Sequence, residues 1–340
     1  MASSELLDTE HLQPLRRALI NCLSTSVAEY TYTRILDGQP TCYNYAGDHY
    51  SEDSWPVMQH EEICPGYLEK AKSLRSDFDV LSLNFDAKLV QTYQDTQPNS
   101  VAWKLRLLEL VATACHDIAI FLYQMDSGAH KHKEHKIWLT EQLKRYPNKR
   151  SRERMLLPPA TLFWHGSFRD SHRYPNGIAE LAGCWAETQI FGGVVLFDRG
   201  NTGEECNGVY LHNIRRNFAL APPTEQQINH LIAFLLSTAP DHEHYPLPIK
   251  VTPENRWRWD AYDAMTKYNI FRNRHEIPQR YRGRPRCVIS EHSWPDYTEA
   301  CERADEAAKQ AAGEPYDEVF MAESEGRRLH VTPTSMLWTG

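Results

Sequence analysis

Ala179-Glu-Leu-Ala-Gly-Cys-Trp-Ala-Glu-Thr188 and, one residue on, Ile190-Phe-Gly-Gly-Val-Val-Leu-Phe-Asp198 form the stretch on which the fold turns. It is nearly continuously apolar, broken mainly by Glu180, Glu187 and Asp198. After Pro158-Pro159 the period reads as alternating rather than helical, and alternating runs read as short strands. The pattern predicts strands over Ala179 to Thr188 and Ile190 to Asp198, with Gly192-Gly193 a bulge or a place of close approach. Flanking runs extend the reading: Thr161 to Phe168 before it, Gly208 to Ile214 and Phe218 to Leu220 after it. Pro222-Pro-Thr-Glu225 then opens an amphipathic helix through Ile228, Leu231, Ile232, Phe234 and Leu235.

The chain before Pro158-Pro159 has the helical period instead. Leu15, Ala18, Leu19, Leu23 and Val27 recur at helical spacing from Leu12 to Leu36, and the run stops at Asp37-Gly-Gln-Pro40. A second helix spans about Val101 to Met125 and ends at Asp126-Ser-Gly128. Beyond Pro240 the chain is rich in Pro, Arg, Trp and charge. It reads as a wrapping tail with a short helix near Glu299 to Ala312. The predicted class is α+β: a helical N-terminal half, then an antiparallel β-meander closed by a helix, then the tail. The corresponding segments are 1–155, with a basic stretch at 130–154, then 156–240 and 241–340.

The chain has 340 residues, 41% hydrophobic and 24% charged, with net charge -8. This composition suits a packed core and excludes collagen-like and disordered chains. Neither a membrane span nor a secretory signal is predicted. Eight scattered cysteines without a C-x-x-C pair suit a reduced, cytoplasmic protein with structural thiols.

The Val101–Met125 helix is apolar except for one stripe, Arg106, Glu109, Thr113, His116 and Asp117. That stripe faces either solvent or an interior polar cavity in which His116 acts as base or acid and Glu109 stands two turns away. In Phe163-Trp-His-Gly-Ser-Phe-Arg-Asp170, an extended chain puts His165 and Ser167 on one side, but a nucleophile and base are defined by geometry, not by proximity in sequence. Glu180, Glu187 and Asp198, inside or ending apolar runs, each require a cationic or hydrogen-bonding partner. That partner is either an internal Arg such as Arg199 or Arg215, or a cationic substrate.

His130, His132, His135, His242 and His244 invite a metal reading. Lys131, Lys133, Lys136 and Lys144 oppose a cation at the first group, and no H-E-x-x-H occurs, so no metal is expected. No glycine-rich phosphate loop exists either, and no nucleotide or other cofactor is expected. Positive charge is concentrated instead. Residues 130–154 hold Lys131, Lys133, Lys136, Lys144, Arg145, Lys149, Arg150, Arg152 and Arg154 against three acids. Residues 272–286 hold six arginines, from Arg272 to Arg286, against Glu276. Such blocks beside Trp138, Tyr146, Phe271 and Tyr281 are either solvated surface or a track for a polyphosphate backbone.

Tyr174-Pro-Asn-Gly-Ile-Ala-Glu180, Trp185 through Gly200, Glu205-Cys206 and Val209-Tyr-Leu-His212 resemble a group of fungal secondary-metabolism proteins, the arginine-containing cyclodipeptide synthases. The likeness covers about Pro158 to Leu236. The family's acidic DDxxE motif has no counterpart string in this chain. The resemblance implies a transferase that joins arginyl-tRNA and a second aminoacyl-tRNA into a diketopiperazine, without cofactor or metal. It implies a basic track for tRNA in the 130–154 cations and carboxylates (Glu180, Glu187 or Asp198) beside Trp185 for the arginyl group. His116 or His165 is then the base, and Tyr210 or Ser167 the proton donor or acyl carrier, with Glu109 near. Two other readings stay open from the residues: a cofactor-free isomerase or cyclase with an apolar pocket at Trp164, Trp185 and Phe191, and a non-catalytic module whose Arg-rich tail binds an acidic partner.

Overall fold

The computed structural model describes residues 2–3, 7–44, 56–79, 82–125, 133–145, 161–213, 219–252, 254–255, 257–278, 294, 296–328 and 331–334. The chain forms a mixed α and β structure, mostly helical, with an antiparallel sheet. It divides into two compact units that interleave along the sequence, residues 1–194 with 229–248 and residues 195–228 with 249–340. These do not coincide with the segments 1–155, 156–240 and 241–340.

The first unit holds α1 (Thr9–Leu23), α2 (Ser26–Asp37), α3 (Tyr67–Asp77), α4 (Ala87–Gln94), α5 (Val101–Gln124), α6 (Lys133–Arg145) and α7 (Ala179–Phe191). A two-stranded antiparallel sheet pairs β1 (Ala2–Ser3) with β2 (Asn84–Phe85). The expected helix over Val101 to Met125 is present as α5, started by the Ser100 hydroxyl, which accepts from the Trp103 amide. A helix apolar nearly all round needs neighbours all round. α5 has α1, α2, α4 and α7 against it, and Leu107, Leu110, Val111, Ala114, Cys115 and Ala119 are fully buried.

The run from Leu12 to Leu36 is two helices. Thr25 is extended (φ -71°, ψ 146°); its hydroxyl donates to the Cys22 carbonyl and accepts from the Ala28 amide, ending one helix and capping the next. Gly38, at φ 91°, closes α2 where the Asp37-Gly turn was expected.

The decisive correction lies at 179–191. These residues are a buried helix, α7, not a strand, and Gly192, at φ 91°, is its left-handed C-cap, not a bulge. Thr161 to Phe168 is a series of bends with one isolated bridge between His165 and Phe168, again not a strand.

The meander begins only afterwards, in the second unit, with β3 (Val194–Asp198), β4 (Val209–His212) and β5 (Ala219–Ala221). The sheet order is β6-β5-β4-β3-β7, and its edges come from the C-terminal segment: β6 (Trp259–Asp260) pairs with β5, and β7 (Ile270–Phe271) with β3. That segment is therefore part of the sheet, and it also supplies α9 (Ala261–Lys267), α10 (Tyr297–Ala312) and α11 (Glu318–Arg328). α10 and α11 are pinned to each other by Arg327–Glu299 (2.6 Å) and Arg303–Glu325.

The expected helix after Pro222-Pro223 is α8 (Glu225–Leu236). Thr224 and Gln227 form a reciprocal capping box at its start: the Thr224 amide donates to Gln227 Oε1 (2.8 Å) and the Gln227 amide to Thr224 Oγ1 (3.2 Å). Its other end is closed by α1. Asn21 Nδ2 donates to the carbonyls of Phe234, Leu235 and Ser237 at 2.9–3.1 Å, satisfying acceptors that a helix terminus leaves open. Among the described residues no helix is long and apolar enough to cross a membrane. Asn21→Ala should lower the unfolding free energy by about 1–3 kcal/mol in denaturant titration, because buried carbonyls lose their donor. An unchanged midpoint would contradict that role.

Candidate active site

α5 and α7 lie against each other, and the contact is polar at one point. Glu180, Gly183 and Glu187 stand at i, i+3 and i+7 of α7 and so share one face. His116 of α5 enters that face. Its Nδ1 lies 2.7 Å from Glu187 Oε1 and its Nε2 3.4 Å from Glu180 Oε1. The three are 3%, 0% and 4% exposed, so water contributes little to holding their charge.

The ring fits because position 183 has no side chain. A Cβ there would lie 2.5 Å from His116 Nδ1 and 2.6 Å from Nε2, well inside van der Waals contact. Asn176 Nδ2 donates to Glu180 Oε2 at 3.0 Å, which holds the carboxylate from its other side. Tyr32 of α2 donates to the Cys115 carbonyl at 3.2 Å. Burial, with the neighbouring Cys115, Cys22 and Glu187, pushes the Tyr32 phenol well above its usual range, so it stays neutral.

An imidazole between two carboxylates makes both hydrogen bonds only when the site holds a mobile proton. Either the ring is doubly protonated, or a neutral ring donates to one glutamate while the other glutamate carries the proton. In each case the 2.7 Å contact with Glu187 fixes the ring's orientation, and Nε2 faces Glu180. This is the arrangement of a base steered by a buried carboxylate. The partner sought for Glu180 and Glu187 is thus a histidine rather than Arg199.

The other expected site residues sit elsewhere. Glu109 is buried and paired with Arg106 at 2.7 Å on its own helix. His165 accepts the Ser167 backbone amide at its Nδ1 (3.1 Å), which places the ring proton on Nε2 and closes a turn; the Ser167 side chain is at the surface. That contact is a turn. Trp185 is core, its ring edge against Phe163 at 4.9 Å.

Asp198 and Tyr210 belong to the second unit. Asp198 Oδ1 accepts from the Gly200 amide at 2.8 Å and shapes the β3–β4 turn. Arg199 spends its guanidinium on the carbonyls of Phe271 and Arg272. Burial raises the Tyr210 hydroxyl, with the Asp198 charge adding to it.

Of the basic segment, Lys136 and Lys144 are exposed on α6, whose Trp138 and Leu139 pack on Val57, Leu162 and Trp164. Lys133 and Arg145 lie on α6 too, though nothing of their side chains is described, and Lys131, Lys149, Arg150, Arg152 and Arg154 fall outside the described residues. In the second basic block Arg272 is no surface cation: it is 5% exposed and paired with buried Glu276. Arg274 is exposed, and Arg280, Arg282, Arg284 and Arg286 lie outside the described residues, as do Arg215 and the side chains of His130, His132 and His135. His242 and His244 are exposed.

Sequence reading missed Tyr32, Asn176 and Gly183. The signal was there for the last two, in the spacing Asn176, Glu180, Gly183, Glu187, once the segment is taken as a helix. No family model, curated protein or solved structure matches the chain.

Alanine in place of a mid-helix glycine normally stabilises by roughly 0.5–1 kcal/mol. Gly183→Ala should reverse that sign and destabilise by about 1–3 kcal/mol, because the added methyl displaces the His116 ring. Denaturant unfolding of the purified variant reads the sign; a gain in stability would remove the ring from this seat.

Proposed function

We propose that the chain is a cofactor-free aminoacyl transferase that joins an arginyl group and a second aminoacyl group, both delivered on tRNA, into a cyclic dipeptide. The observation that carries this reading is the His116–Glu187–Glu180 cluster. Its two carboxylates lie on the stretch that resembles the arginine-containing cyclodipeptide synthases.

The chemistry asks little beyond that cluster. Each aminoacyl ester is already activated, so neither ATP nor a metal is required. The α-amine of one aminoacyl group attacks the ester carbonyl of the other; an amide forms and the tRNA ribose hydroxyl leaves. The second amine then attacks the remaining ester, closes the six-membered ring and releases the second tRNA. In each step the amine loses a proton and the leaving oxygen gains one. His116 Nε2 is the group to carry it, with Glu187 a positioning residue that holds the ring. Glu180, ionised when His116 carries the proton, is the carboxylate for a guanidinium through the lone pairs that His116 and Asn176 leave open. Exposed Lys136 and Lys144 on α6 supply positive charge for an acceptor stem.

The test is incubation with arginyl-tRNA and a mixture of other charged tRNAs, with a mass-spectrometric search for cyclo(Arg-Xaa). Product is expected from the wild type. His116→Gln should lower the rate by about 10²–10⁴-fold, the range of a lost general base. Glu180→Gln should impair arginine use above all. No diketopiperazine from wild type, with arginyl-tRNA confirmed intact, would overturn the assignment. Conversion of a small apolar metabolite by the same protein would favour an isomerase or cyclase. Neutralising Lys144, Arg145, Lys149 and Arg150 together should weaken tRNA retention and flatten its salt dependence while the fold persists; unchanged retention would remove the basic segment from the track.

A further inference from the structure

A second cluster in the first unit gathers three different donor atoms. Asp37 is the last residue of α2, with its carboxylate fully buried. Beyond the Gly38 cap the chain turns, and the segment from Pro56 returns to the same place, tied by the Cys42 amide to the His60 carbonyl at 2.9 Å. His60 Nε2 then lies 3.2 Å from Asp37 Oδ2, and Cys64 Sγ lies 3.9 Å from that same Nε2. The oxygen, nitrogen and sulfur donors all lie within 4.8 Å of one another.

The outer bonds orient this set. His60 Nδ1 is 3.0 Å from the Pro40 carbonyl, an acceptor only, so Nδ1 carries the proton. The Nε2 lone pair is thereby aimed at the carboxylate and the sulfur. This is how ligating histidines are held, with one ring nitrogen on a backbone carbonyl and the other on the metal. The Cys64 amide donates to Asp37 Oδ2 at 3.1 Å and fixes the carboxylate relative to the thiol. Two acceptors at 3.2 Å require something positive between them, and the choices are a second proton or a metal ion.

We propose that Asp37, His60 and Cys64 bind a zinc ion. Tetrahedral zinc with bonds of about 2.0–2.3 Å sets its ligand atoms about 3.4 Å (N to O) and about 3.6 Å (N to S) apart. The spacings found are 3.2 Å and 3.9 Å, so side-chain adjustments of a few tenths of an ångström complete the geometry. An imidazole, a thiolate and a carboxylate suit zinc better than the hard cations, which take oxygen alone. Thiolate and carboxylate together neutralise a divalent ion and outweigh Arg34, one turn before Asp37, whose charge acts against a cation here. Three protein ligands are the number that leaves a fourth position for water or substrate. The bound ion joins the end of α2 to the 56–64 segment, so it also stabilises the fold.

The test uses the full-length chain without a histidine tag, stripped by chelator, then titrated with Co²⁺ and displaced by Zn²⁺. Wild type should take up one Co²⁺ with a thiolate-to-cobalt charge-transfer band and the intense visible bands of four-coordination. Zn²⁺ should abolish both and raise the thermal midpoint. Cys64→Ser and His60→Ala should each lose the charge-transfer band or at least about a hundredfold in affinity, whereas Cys206→Ser should match wild type. The absence of a thiolate band in the wild type overturns the proposal and leaves an Asp37–His60 ion pair. A band that survives Cys64→Ser overturns it as well. The wild-type titration decides the matter even if a variant fails to fold.

Discussion

The burial of an imidazole between two carboxylates is the constraint around which the first unit is arranged. Removing ionisable groups from water costs several kcal/mol each, and a buried ion is tolerated only where its partners are in place. Glu187, fully buried, cannot be left without His116, and His116 cannot be seated without a glycine at 183. The rest of the helical packing accommodates the cluster. α5 must be apolar on its other faces so that it stays inside, and α7 must lie close enough for Gly183 to touch the ring. α2 adds Tyr32, which donates to the Cys115 carbonyl, and the turn before α7 adds Asn176, which donates to Glu180.

Such an arrangement adds little to stability compared with an apolar seam of the same shape. What the arrangement supplies is a 3.4 Å contact between Nε2 and Glu180, a proton donor and an acceptor in a site nearly closed to water. That is what separates this point from Glu109–Arg106, two turns away on the same helix, where the carboxylate faces a guanidinium rather than an imidazole.

Much of this was legible in the residues, and the failures have physical reasons. α5 was readable because a 24-residue helix carries its period many times over and its cap is a serine. α8 was readable because Pro-Pro-Thr-Glu announces a helix start and only one face is apolar. His116, Glu180 and Glu187 could be singled out because polar groups inside apolar runs need partners. α7 was misread because it is buried on all sides, and without an exposed face a helix loses the periodicity that distinguishes it from a strand. Its alanines, leucine and glutamates are good helix formers, and that weaker signal was the correct one. His165 and Ser167 were placed together as neighbours on one side of an extended strand, whereas the chain there is a turn that brings the Ser167 backbone amide to the ring. Asp37, His60 and Cys64 escaped notice because 22 residues lie between the first and the second and no paired-cysteine spacing marks them.

If the cluster exists for its chemistry, the fold should not require it. The direct measurement is denaturant unfolding of the variant that carries His116→Phe, Glu180→Met and Glu187→Met together. Apolar groups of similar volume then fill the contact and no charge is left without a partner. The expected unfolding free energy is equal to the wild type's or higher. A fall of about 3–5 kcal/mol, the scale seen when a buried ion pair loses one member, would make the cluster a structural device and contradict its place as the reactive centre.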